Sequence, residues 1–180
     1  LFPIVSTVIS LAFRVNFLVS TLLFFGLPSL WLSVRNVRAV KNTIIFSLVL
    51  SLSFGLIIDY VAINDQSWYV PDTLFTFRLL GVVPVEDLIW GFFLSYSAVM
   101  FYEHFRNRKK VGLVNRKVKY VVAIPIILMT TFLFLVQTYP EVLVIRYAYF
   151  WVGFIFFLLP MTIFLRFYPK TFVKFVKTAV

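Results

Sequence analysis

From Val15 to Val34 the chain runs VNFLVSTLLFFGLPSLWLSV without a charged side chain and then meets Arg35, Arg38 and Lys41. An apolar run of about 20 residues is what an α-helix needs to cross roughly 30 Å of hydrocarbon, and a basic cluster is a common way for such a run to end at a membrane surface. The pattern recurs. Thr43 to Ala62 reads as a second span with Asp59 near its end, Pro84 to about Tyr102 as a third, Tyr120 to Gln137 as a fourth and Val144 to about Phe167 as a fifth. Pro28 is expected to kink the first span, and Pro160 lies inside the fifth. Leu1 to Phe13 is apolar but short and stays unassigned. Asn64 to Asp72 reads as a loop with Trp68 and Tyr69 as interfacial anchors. Phe75 to Val83, broken by Arg78 and Gly81, is too short to span and reads as a re-entrant or interfacial segment. The fold class expected is therefore all-α, a polytopic transmembrane bundle of about five spans forming one domain over residues 1–180.

Charge supports this reading. The net charge is +10, which in a soluble chain would invite a nucleic-acid partner, but the composition is 62% hydrophobic and 20% aromatic. The basic residues fall into separate clusters beside the apolar runs: Arg35 to Lys41, Arg106 to Lys119, and Arg166 to Lys177. All three fall on one side of the expected spans. Arg14, Arg78, Arg146, Asp59, Asp65, Asp72 and Glu141 fall on the other. The positive-inside rule makes the basic loops cytoplasmic, in an integral, multi-pass protein of the cell membrane, with the lipid bilayer as its surroundings and no nucleic-acid partner. Cysteine is absent and His104 is the one histidine, so no metal-ligand cluster is legible; Glu103 and His104 read as interfacial residues. The sequence begins with Leu1, and no signal peptide is legible.

The first and fifth runs echo each other. Arg14 lies as far before Pro28 as Arg146 does before Pro160, and LLFFGLP (Leu22 to Pro28) matches FIFFLLP (Phe154 to Pro160) at most positions. Internal repeats are common in membrane proteins. Residues 14–105 are accordingly expected to form a three-helix repeat, and residues 118–180 a linking helix and the start of a second copy that this sequence does not finish.

The chemistry concentrates at Glu86 and Asp87, two carboxylates that follow Pro84 and open the third run. One account is electrostatic: acids at a helix N-terminus are stabilised by the macrodipole by about 0.3–1 kcal/mol. The other is functional. An ionisable group at membrane depth is expensive and tends to mark a site, and a carboxylic acid kept neutral in an apolar pocket can donate a proton. The sequence leaves both open. Asp59, at the same expected membrane face, is a candidate to join the acids as a substrate-site residue. Trp68, Tyr69, Trp90, Phe92, Phe93 and Tyr96 are close enough in sequence to line one cavity, where aromatic faces would stabilise a cation. A non-catalytic membrane protein, or a transporter subunit in which Glu86 and Asp87 relay protons, is the alternative.

The order of Leu27-Pro28, a basic loop, Asp59, Trp68, Gly81, Pro84-x-Glu86-Asp87 and a third run ending Phe101-Tyr102-Glu103 resembles the three-helix repeat of the lycopene cyclase domain, whose signature is Pro-x-Glu-(Glu or Asp). The resemblance covers about Arg14 to Phe105. Known members use two repeats, whereas this sequence carries one acidic motif. The resemblance implies an enzyme, a lycopene β-cyclase-like isomerase that works by redox-neutral cyclisation without a cofactor. An acid protonates the terminal double bond of a linear carotenoid or other isoprenoid, an internal double bond attacks the cation, and loss of a proton leaves a ring. Glu86 is then the expected acid, Asp87 its positioning partner, and Asp59, Trp68, Trp90, Phe93 and Tyr96 the expected substrate-binding residues. A homo- or hetero-oligomer is compatible with the family.

Overall fold

The computed structural model describes residues 2–70, 73–105 and 118–167, and the fold is helical throughout apart from one short hairpin. Asp72, the basic stretch from Arg106 to Lys117, and the tail lysines Lys170, Lys174 and Lys177 lie outside the described residues. Helix α1 (Phe2–Phe13) occupies the stretch left unassigned above and ends where Arg14 turns left-handed, with φ 45°. Helix α2 (Phe17–Arg35) starts on an N-cap: Oδ1 of Asn16 accepts from the Val19 N–H at 2.9 Å, satisfying one of the helix's orphan donors. After Asn36 the chain enters α3 (Val37–Asn64). By length and composition, α2 and α3 are the two helices among the described residues able to cross a membrane.

Pro28 is accommodated through a π-turn. Residues Leu22–Gly26 form this wider turn, in which the Leu27 N–H reaches back to the Leu22 carbonyl. A proline lacks the N–H of a regular helix and its ring crowds the preceding turn; a local widening relieves both. A second π-turn, Ser51–Gly55, interrupts α3 without any proline.

The segment read as re-entrant or interfacial folds as a small antiparallel hairpin, β1 (Arg78–Leu79) and β2 (Val83–Pro84), in register Arg78 to Pro84 and Leu79 to Val83. Its turn carries Leu80 at φ 52° and Gly81 at φ 75°, a left-handed conformation that glycine adopts without a Cβ clash. The Arg78 guanidinium donates from Nη1 to the Val82 carbonyl at 3.0 Å and clamps the turn. Pro84 closes the hairpin, and α4 (Val85–Phe105) starts one residue later, with Glu86 and Asp87 in its first turn.

Helix α4 is the centre of the packing, against both α2 and α3. The contact with α3 uses small residues. Ser51 donates from its hydroxyl to the Leu88 carbonyl at 2.6 Å, and a Cβ placed on Gly91 would come within 3.3 Å of Ser51 Oγ. Further along, the hydroxyls of Ser33 and Tyr96 meet at 2.7 Å, and Leu32, Tyr96 and Met100 form one buried cluster. Helix α5 (Val118–Thr138) docks beside the end of α3, placing Phe132 edge-on against Tyr60 at 5.3 Å in a second cluster with Leu56, Val83, Leu88 and Leu143. A 3-10 turn, Pro140–Leu143, leads to α6 (148–167), which is built from Ala148–Gly153, a third π-turn at Phe154–Leu158, and Leu159–Phe167.

Over Thr43 to Ser53 of α3 burial is inverted relative to an ordinary soluble core: Thr43, Ser47, Ser51 and Ser53 are buried, whereas Ile44, Ile45, Phe46, Leu48, Val49 and Leu52 are exposed. Nearer its end the helix buries Leu56, Tyr60, Val61 and Ala62.

Candidate functional site

The two acids that open α4 are among its most buried residues: Glu86 is 0% exposed and Asp87 3%. Both are held by the loop that precedes the helix. The Phe75 backbone N–H donates to Oε1 of Glu86 at 2.8 Å, and the Trp68 indole donates from Nε1 to Oδ2 of Asp87 at 3.3 Å. The other oxygen of each carboxyl group, Oε2 of Glu86 and Oδ1 of Asp87, has no hydrogen-bond partner among the described residues. Leaving a buried carboxyl oxygen unpaired is costly, so a pair of them at one place is a departure that calls for a use.

Three elements converge on the acids. From α3, half-buried Asp59 comes within electrostatic reach of Asp87. From the hairpin, the positively charged Arg78 guanidinium also acts on Asp87. From α6, Tyr149 sets its ring edge-on to Trp68, with centroids 6.1 Å apart and planes at 64°, and its hydroxyl is within electrostatic reach of Asp59 and Asp87. The start of α6 is fixed there by Asp65, whose Oδ2 accepts from the Ala148 N–H at 3.1 Å. Beyond Tyr149 lies a cavity of about 400 Å³ lined by Asp65, Ser67, Arg146, Tyr147, Tyr149 and Phe150.

A family model described as lycopene cyclase matches residues 10–105, which include Asp59, Trp68, Arg78, Glu86 and Asp87. The chain belongs to the lycopene cyclase family. No curated protein and no solved structure matches the chain. Membership in the lycopene cyclase family gives the chain a carotenoid cyclase-like role and an isoprenoid substrate class.

Among the residues picked from the cyclase-like sequence, Asp59, Trp68, Glu86 and Asp87 are gathered at one place. Trp90, Phe93 and Tyr96 run away from it along α4. Trp90 is 38% exposed, Phe93 lies near Gly26 of α2, and buried Tyr96 bonds Ser33, about 14 Å along the helix axis from Asp87 at 1.5 Å per residue. Phe75, Arg78 and Tyr149 were not among the candidates. The Phe75 contribution is a backbone N–H and carries no side-chain signal. Arg78 was legible as a charge breaking an apolar stretch. Tyr149 is remote in sequence, outside the family-matched segment, and one aromatic among many.

Proposed function

We propose that this chain is a multi-pass membrane carotenoid cyclase in which Glu86 is the proton donor. The observation that carries the reading is the state of its carboxyl group: fully buried, fixed through Oε1 by the Phe75 N–H, with Oε2 left without a partner inside a lycopene cyclase family domain. One oxygen is held and the other is free to present a proton.

In this reading the acid O–H bond breaks as a C–H bond forms at the terminal double bond of a linear polyene, leaving a tertiary cation and a carboxylate. The internal double bond attacks the cation, forming the ring C–C bond. Loss of a neighbouring C–H proton to the carboxylate restores the acid, so the reaction is a redox-neutral isomerisation. Asp87, tied to Trp68, positions the site. Asp59 adds negative potential where positive charge develops, and preorganised groups of that kind lower such barriers by electrostatic stabilisation. Trp68 supplies an aromatic wall for the cation, with Trp90 and Phe93 lining the path of the polyene along α4.

The bilayer setting is supported by the inverted burial of α3. Small hydroxyl residues mediate close helix contacts in membranes, and a long face of exposed isoleucine, leucine and phenylalanine suits lipid. Length and apolarity carry this for α2 and α3; α4, α5 and α6 fall short of that measure and are read as spans from the charge pattern of the sequence, giving five in a protein of the cell membrane. The repeat is supported by backbone geometry as well as sequence: Pro28 and Pro160 are each the second residue after a π-turn, Leu22–Gly26 in α2 and Phe154–Leu158 in α6. Residues 14–105 are then one three-helix repeat, followed by a linking helix, α5, and by α6, which echoes the first helix of that repeat. The test is expression of the full-length protein in a host that accumulates lycopene, followed by pigment analysis. Ring-bearing carotenoids are the expected product, and unchanged lycopene overturns the cyclase reading.

A further inference from the structure

Tyr149 lies outside the family-matched residues 10–105, yet α6 brings it to the acid site. Its placement is secured twice. Ala148, the residue before it, is 2% exposed and gives its N–H to the Asp65 carboxylate, and the Tyr149 ring packs edge-on against the indole that binds Asp87. Tyr149 is within electrostatic reach of Asp59 and Asp87 and also lines the cavity with the polar side chains of Asp65, Ser67 and Arg146. It is 41% exposed.

We propose that Tyr149 is a specificity-determining residue of the acid site, the wall that keeps water in the neighbouring cavity from the cation formed at the acids. The inference rests on the cyclase reading above. Once the terminal double bond has been protonated, the cation has two fates. Attack by the internal double bond followed by proton loss gives the ring. Attack by water forms a C–O bond and passes the water's proton to the carboxylate, which gives an acyclic tertiary alcohol. The same acid begins both, and exclusion of water decides between them. The aromatic ring is the working part: it packs edge-on beside Trp68 and offers a π-face to the cation. The phenolic hydroxyl is dispensable.

The experiment compares the full-length wild type with Tyr149→Phe, Tyr149→Leu, Tyr149→Ala and Phe150→Ala in a lycopene-accumulating host. The readout is the ratio of acyclic hydroxylated carotenoid to cyclised carotenoid, which does not depend on how much protein is made. Tyr149→Phe and Phe150→Ala should keep the wild-type ratio, whereas Tyr149→Leu and Tyr149→Ala should raise it by about tenfold or more. An unchanged ratio in both Leu and Ala variants, or loss of both products together, overturns the assignment while leaving the cyclase reading intact. A wild type that converts no lycopene overturns the cyclase reading and this assignment with it.

Discussion

The Phe75 backbone N–H donates to Oε1 of Glu86 at 2.8 Å across the hairpin that leads into α4. The donor comes from the chain just before β1 and the acceptor from the residue two after Pro84, so the hairpin folds its own approach strand onto the acid it delivers. That arrangement explains why Pro84 lies in the strand pair rather than in the helix. It ends the hairpin opposite Arg78 and hands the chain to the helix at Val85, so that Glu86 enters already oriented.

Trp68 ties Asp87 to the loop by a single N–H donor. Trp68→Phe keeps an aromatic ring at the site and removes the donor, leaving both Asp87 oxygens unpaired. At 3.3 Å the bond is long, and its loss should reduce cyclised carotenoid per unit of membrane-embedded protein by about three- to tenfold, equivalent to roughly 1 kcal/mol. Pigment analysis normalised to immunoblotted protein reads this directly.

Tyr96 separates a packing role from a substrate role. Its hydroxyl meets that of Ser33, which also donates to the Ser29 carbonyl, and its ring stacks on Phe92 inside the Leu32 and Met100 cluster. Tyr96→Phe should lower stability by about 1 kcal/mol, a fall in melting temperature of about 2–4 °C in detergent, and leave the products unchanged. A changed product pattern would instead place Tyr96 in the substrate path.

Asp65 holds α6 to the end of α3 through the Ala148 N–H. Asp65→Ala removes that acceptor and leaves a buried N–H unpaired, for a loss of about 1–3 kcal/mol. Asp65→Asn retains a carbonyl oxygen and should recover part of it. The expected readout is faster protease cleavage in the 139–147 connection, fastest for the alanine variant and intermediate for asparagine.

How far the sequence carried depended on the kind of interaction. Apolar runs broken by basic clusters located α2, α4 and α5 to within three residues, because helix length and charge placement are properties of contiguous sequence; α3 begins six residues before the expected Thr43 and takes in Arg38 and Lys41. Pro84, Glu86 and Asp87 were legible as a unit for the same reason. The π-turns at Leu22–Gly26 and Ser51–Gly55 were not legible: one accommodates a proline expected only to kink, and the other interrupts a run with no breaker except Gly55. The hairpin at Arg78 to Pro84 was read as apolar chain broken by an arginine and a glycine, when those two residues build it: Arg78 clamps the turn and Gly81 supplies its left-handed conformation. The rest of the site is long-range. Nothing local to Asp65, Phe75 or Tyr149 announces an N–H contact with Ala148, a backbone donor for Glu86 or a ring against Trp68.

Glu86→Gln in the full-length protein removes the proton that Glu86 is proposed to donate. The glutamine amide is nearly isosteric and can still accept from the Phe75 N–H through its oxygen, so the hairpin contact persists while the acid proton is lost. With protein levels in the membrane matched to wild type, the variant should leave lycopene uncyclised, with conversion down by at least about 100-fold, the scale of a general acid's contribution. Wild-type amounts of ring-bearing carotenoid from Glu86→Gln would contradict the account.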